Sequence, residues 1–137
     1  MNQETQAIEF NIQSFYGIIS GKMTDDRDWS TFRDLFIGSA ILSICKKDDQ
    51  GRTGITSYML DSYIERMRSF LSRNDFYEYS VGNEIRIYGD IGCICNEYAA
   101  YADFEREKFL KQGKNFISMA LDGNKWKITS MTWEDGV

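Results

Sequence analysis

The residues of this chain equipped for chemistry are mostly neutral: Tyr16, Tyr63, Tyr98, Asn96 and Asn115, with the indoles of Trp29 and Trp133, set among aliphatic and aromatic neighbours. Phenols and carboxamides donate and accept hydrogen bonds without carrying charge. Such a set can hold the polar groups of a small, mainly apolar molecule, or it can satisfy itself. Trp29, Tyr63 and Trp133 fit a core as well as a ligand platform. The 137 residues include no histidine, which removes the commonest general base and the commonest metal ligand together. Zinc sites and histidine-based triads are excluded, and no metal or other cofactor is expected. Cys45, Cys93 and Cys95 sit among Ile, Leu and Gly. Cys93 and Cys95 lie two apart on a strand, near the upper limit of separation for a disulfide, and read as small buried thiols in a reducing compartment.

The elements that must position these groups are legible in the periodicity. Ile8, Ile12, Phe15 and Ile19 recur at helical spacing and predict a helix over about 5–20, ended by Gly21. Asp28 is placed to cap a short second helix that carries Trp29, Phe32 and Phe36. Residues 39–45 form a short apolar strand, and the polar stretch 46–56 reads as a loop. Ser57 caps a third helix with Asp61 in its first turn and Leu60, Ile64, Met67 and Leu71 as its stripe. From Phe76 the period changes to two, with strands expected over 76–87, 92–104, 115–121 and 126–133. Gly123 and Asn124 suit a tight hairpin turn. Arg106 to Lys114, interleaved with Glu107 and preceded by Asp103 and Glu105, reads as a solvated hairpin tip. Trp126 and Ile128 share one parity and Met131 and Trp133 the other, so a β-bulge near Thr129 and Ser130 is needed to reconcile them. The order predicts a single α+β domain over 1–137, with three N-terminal helices on one face of a curved, mostly antiparallel sheet.

Charge narrows the partners. Sixteen basic against twenty-one acidic residues give a net charge of -5, and no basic stripe overrides it, so neither nucleic acid nor an anionic membrane is an expected partner. No window approaches the ~20 apolar residues of a membrane-spanning helix. The start, Met1-Asn2-Gln3-Glu4-Thr5, lacks the basic-then-apolar pattern of a signal peptide, and a cytoplasmic location is expected.

Phe15-Tyr16 on the first helix, Leu35-Phe36 before the first strand, the Tyr88-Gly89-Asp90-Ile91-Gly92 turn and the closing Trp126-Lys127-Ile128 with Trp133 together resemble the SnoaL-like, nuclear transport factor 2-like superfamily. The resemblance implies helices and a curved sheet around a conical pocket of a few hundred cubic ångströms, a scale usual for small ligands. It also implies that Gly92, Ile94, Asn96 and Tyr98 face inward, and Cys93, Cys95, Glu97 and Tyr101 outward, on a face this superfamily buries in a homodimer. Asn115, Ile117 and Met119 form the expected inward set of the next strand. The superfamily hosts isomerases, cyclases, dehydratases and non-catalytic binders, so function must come from the site. Counting from the motifs puts Tyr16 at the place of the ketosteroid isomerase tyrosine but Ile44 and Ile117 at the places of its two acids. A donor without a base cannot abstract a proton, so that chemistry is not expected. The leading expectation is a binder of a small, mainly apolar molecule. Its rivals are a lyase or isomerase that uses Tyr16 as hydrogen-bond donor with an acid not located in the sequence, and an interaction module that works through the outer sheet face.

Overall fold

The structure, a computed structural model, describes residues 2–136, so Met1 and Val137 at the ends of the expected domain lie outside the described residues. Helix α1 (Gln3–Ile19) starts where Asn2 accepts the Thr5 N–H at 2.8 Å, and its Ile8, Ile12, Phe15 and Ile19 stripe is buried as expected. Helix α2 (Trp29–Asp34) is capped by Asp28, which accepts from the Thr31 N–H and hydroxyl. Asn11, buried on α1, donates from Nδ2 to the carbonyls of Leu35 and Trp126, both at 3.1 Å, and so fixes the helix to the two chain segments beneath it.

Six strands form one sheet: β1 (Phe36–Lys47), β2 (Thr53–Met59), β3 (Tyr77–Tyr88), β4 (Ile91–Tyr101), β5 (Phe109–Asp122) and β6 (Lys125–Asp135). Their spatial order is β2-β1-β6-β5-β4-β3, and every pairing is antiparallel except β1 with β6. Helix α3 (Leu60–Leu71) follows β2 directly and lies across the sheet. The architecture is the α+β arrangement expected from the sequence, with a sheet that does not close.

Three expectations need correction. Residues 53–59 are strand β2, paired with β1 from Lys47↔Thr53 to Ile41↔Met59, and not the end of a loop. Ser57 therefore caps nothing; it faces Ser43 across the ladder with the hydroxyls 2.7 Å apart, and α3 begins at Leu60 without a side-chain cap. The misreading has a cause: β2 is an exposed edge strand, so it lacks the alternation that burial imposes. Strand β5 begins at Phe109, six residues before the expected start, which brings Lys111 and Gly113 into the sheet. The cysteines are free, but they are not buried: Cys45 on β1 is half-buried, and on β4 Cys93 is exposed and Cys95 half-buried because odd positions of that strand face away from the helices.

The bulge is where parity placed it. Ser118 pairs with Ser130 and Met119 with Ile128, which leaves Thr129 unpaired, so Trp126, Ile128 and Met131 are all buried on one face. At the β5–β6 turn Gly123 adopts φ 65°, a region that a glycine occupies without strain. Gly113 matters for a different reason: a Cβ there would collide with the Tyr98 hydroxyl and the Glu134 carbonyl.

Candidate functional site

Between α3 and the inner face of the sheet lies a cavity of about 640 Å³. Phe15 and Tyr16 of α1 and Met131 of β6 give it buried walls, and α3 supplies Tyr63 and Met67 opposite them. Helical and strand periods together explain the convergence: Tyr63 and Met67 are four apart on one helix face, while Asn115 and Trp133 are opposite neighbours on adjacent strands.

Of the seven residues expected at the site, Tyr16, Tyr63, Tyr98, Asn115 and Trp133 line this cavity. Tyr63 meets Trp133 edge-on with centroids 5.8 Å apart and stacks on Phe32 at 6.3 Å. Trp29 is not at the cavity; it is half-buried at the start of α2 and packs edge-on against Phe32 at 5.2 Å. Asn96 points inward but lies behind the wall. It is 0% exposed, accepts the Tyr16 hydroxyl proton at 2.5 Å and donates to Asn83 Oδ1 at 2.7 Å and Ser80 Oγ at 2.9 Å. The proton of Tyr16 is thus committed to Asn96. Ile44 lines the cavity and Ile117 is buried in the core.

Asn115 differs from Asn96. It is 4% exposed, lines the cavity, and its Oδ1 has no hydrogen-bond partner among the described residues. The Tyr63 hydroxyl likewise makes no hydrogen bond among the described residues, whereas Tyr98 donates to Asp135 Oδ1 at 2.7 Å. Burial pushes all three phenols well above their ordinary value, so they hold their protons through the neutral range. The charge of Glu78 adds to the shift at Tyr16 and Tyr63, and that of Asp135 at Tyr98.

Glu78 is the acid that the sequence reading missed. It sits on β3, is only 8% exposed and is the one acidic residue lining the cavity among the described residues. Its backbone is held in place by Ser20, whose Oγ accepts the Glu78 N–H at 2.9 Å and donates to the Tyr16 carbonyl at 2.7 Å. Its carboxylate makes no hydrogen bond or ion pair among the described residues. Burial raises its pKa to about 7, against the opposing pull of Lys111 and with a smaller push from Asp135. The signal was present: Phe76, Glu78 and Ser80 share a parity, and Phe76 is a buried core residue. Lys111 was missed because it was assigned to a solvated tip; in β5 it lies across Ala100 from Glu78, all three on the inner face. The described residues include no group of three or more cysteines or acids able to hold a metal.

No protein-family profile matches the sequence, and no curated protein matches it significantly. Solved structures do. A protein of unknown function with a cystatin-like fold from Nostoc punctiforme superposes with a TM-score of 0.76 at 11% identity, covering 99% of this chain and 93% of that one. The chain has an NTF2-like, cystatin-like fold. An NTF2-like protein of unknown function from Shewanella baltica matches at a TM-score of 0.67 and 14% identity over 98% of this chain and 95% of its own. The β subunit of an aromatic-ring-hydroxylating dioxygenase, assigned as such only provisionally, from Novosphingobium aromaticivorans matches at 0.72 and 15% identity, over 96% and 88%. At these identities the likeness is one of NTF2-like architecture, and the chemistry has to be read from the side chains. No helix among the described residues is long and apolar enough to cross a membrane.

Proposed function

We propose that the chain is a single NTF2-like domain that binds a small, mainly apolar molecule in the cavity under α3. The observation that carries this reading is Asn115, whose Oδ1 is buried against the cavity with no partner among the described residues. A buried carboxamide oxygen left unmatched costs about 1–3 kcal/mol, and such atoms ordinarily have a partner, supplied here by a ligand. The aromatic and aliphatic wall supplies the apolar contact area. The lyase or isomerase alternative is less well supported, since the proton of Tyr16 is already donated to Asn96.

A neutral fluorescent probe, N-phenyl-1-naphthylamine, tests the binding reading. Its emission should rise with saturable, one-to-one stoichiometry, and Met67→Trp, which places an indole in the cavity, should abolish the rise. No enhancement in the wild type, or one that Met67→Trp leaves untouched, would overturn it.

A second reading concerns the outer sheet face, which we infer pairs with a second copy of the chain. Phe116 there is 62% exposed and Val81 65%, and a shallow concavity joins them to Ala99, Tyr101 and Phe109. An apolar patch of this kind on a bare sheet face calls for a cover. Its margin carries Lys47 and Lys114 as well as Glu97 and Glu134, and a rim of both signs is what an isologous pairing about a two-fold axis needs.

A further inference from the structure

The side chains around the cavity are sorted by charge and depth. Lys46, Arg66, Arg73 and Lys111 all line it, in a chain whose net charge is -5. Lys46, Arg66 and Arg73 are exposed, and Lys111 is half-buried. Only Lys111 has a carboxylate within ion-pair distance among the described residues, Asp135 at 3.4 Å. Arg66 rests over the Tyr58 ring at 4.9 Å, and Arg73, just past the end of α3, donates to the carbonyl and hydroxyl of Ser69. Three cations without an ion-pair partner among the described residues therefore line the exposed part of one cavity, a charge that favours an anion there.

The buried part is the reverse. Among the described residues nothing donates to the carboxylate of Glu78 or to the Oδ1 of Asn115, and the hydroxyl of Tyr16, its proton given to Asn96, offers only lone pairs. Between these two zones the wall is aromatic and aliphatic: Phe15, Tyr63, Met67, Phe76, Met131 and Trp133.

We propose that the ligand is an amphipathic anion with an aromatic body, its acidic group held at the mouth by Lys46, Arg66 and Arg73 and a hydroxyl at its inner end donated to Glu78 and Asn115. This names the chemical class of the molecule whose binding is proposed above and rests on that reading. Arg66 and Arg73 present planar guanidinium groups that suit a carboxylate. The groups that face Glu78 are Lys111 from β5, Asp135 from β6, Tyr98 from β4, Tyr16 from α1 and Tyr63 from α3. Lys111 is the sole cation among them, and it is shared with Asp135. A hydroxyl donor from the ligand supplies what Lys111 does not.

Three fluorescent probes of one shape separate the two ends: 6-hydroxy-2-naphthoate, 2-naphthoate without the hydroxyl, and 2-naphthol without the carboxylate. With the full chain at low salt, 6-hydroxy-2-naphthoate should bind about tenfold or more tightly than either relative, the scale of one charge-assisted hydrogen bond. Its advantage over 2-naphthol should shrink as salt rises. Arg66→Ala with Arg73→Ala, both at exposed positions, should erase that advantage and keep the preference for the hydroxyl. Asn115→Leu and, independently, Glu78→Gln should do the opposite. Equal binding of all three probes, or losses that do not follow the end altered, overturns the assignment while the cavity reading stands on N-phenyl-1-naphthylamine. If none of the three naphthalenes binds but the amine does, the assignment is likewise overturned. If the amine fails as well, the binding reading falls with it.

Discussion

Replacing Glu78 by glutamine should stabilise the protein above neutrality and leave it nearly unchanged in mild acid. Burial of the carboxyl raises its pKa from an ordinary 4.5 to about 7 in the folded chain, with Lys111 opposing and Asp135 adding to the rise. Because the folded value lies above the unfolded one, the folded state holds this proton more tightly. The resulting stability is fully present below 4.5 and is lost as pH rises through about 7. From about pH 5 to about pH 8 the wild type should lose roughly 2–3 kcal/mol through this group, whereas glutamine, an uncharged near-isostere of the protonated acid, loses none. At roughly 3 °C per kcal/mol for a chain of this size, the variant should melt ~8 °C above the wild type in the alkaline condition. Urea unfolding of both proteins at the two pH values reads the quantity directly. A gap between variant and wild type that does not change with pH would refute the reasoning, since it would mean that Glu78 titrates as a solvated glutamate.

Tyr16→Phe should cost about 1–3 kcal/mol by leaving the buried Asn96 oxygen unmatched, while Tyr63→Phe, whose hydroxyl has no partner among the described residues, should stay within about 0.5 kcal/mol in calorimetry. Gly113→Ala should destabilise by about 1–3 kcal/mol in the same assay, because the new methyl meets Tyr98 and the Glu134 carbonyl inside a formed ladder. Sedimentation at micromolar concentration should give about twice the chain mass for the wild type and the single mass for Phe116→Lys; a monomeric wild type would remove the dimer.

What was legible in the sequence was what burial imposes. The α1 stripe, the Asp28 cap, the Gly123 turn and the Thr129 bulge all follow from local patterns that hold in the structure. The resemblance gave Asn96 and Tyr98 their inward direction, and both are buried. Parity gives direction but not depth, so it could not tell that Asn96 would be sealed behind Tyr16 while Asn115 stayed open to the cavity. Edge strand β2 and the start of β5 were missed because exposed strands carry no alternation. Glu78 escaped notice for the opposite reason: a charged residue at an inward position breaks the apolar alternation.

The parallel pairing of β1 with β6 has a consequence for how the molecule assembles. Ile41 lies beside Ser130 and Ile44 beside Trp133, so the centre of the sheet joins segments far apart along the chain. Until β6 pairs with β1, the β1–β2 hairpin and the β3–β6 meander are separate pieces, and each exposes an unpaired edge to the other across the gap. Local hairpins can form early on either side, but the closure that unites them is a long-range event of high contact order, which places folding toward the milliseconds-to-seconds end of the range. During that interval each edge is a template for the same strand of another chain, and crowded synthesis would favour exchange of β6 between molecules. Both the speed of maturation and the hazard of misassembly are therefore governed by one strand, the one that also carries the bulge and Trp133.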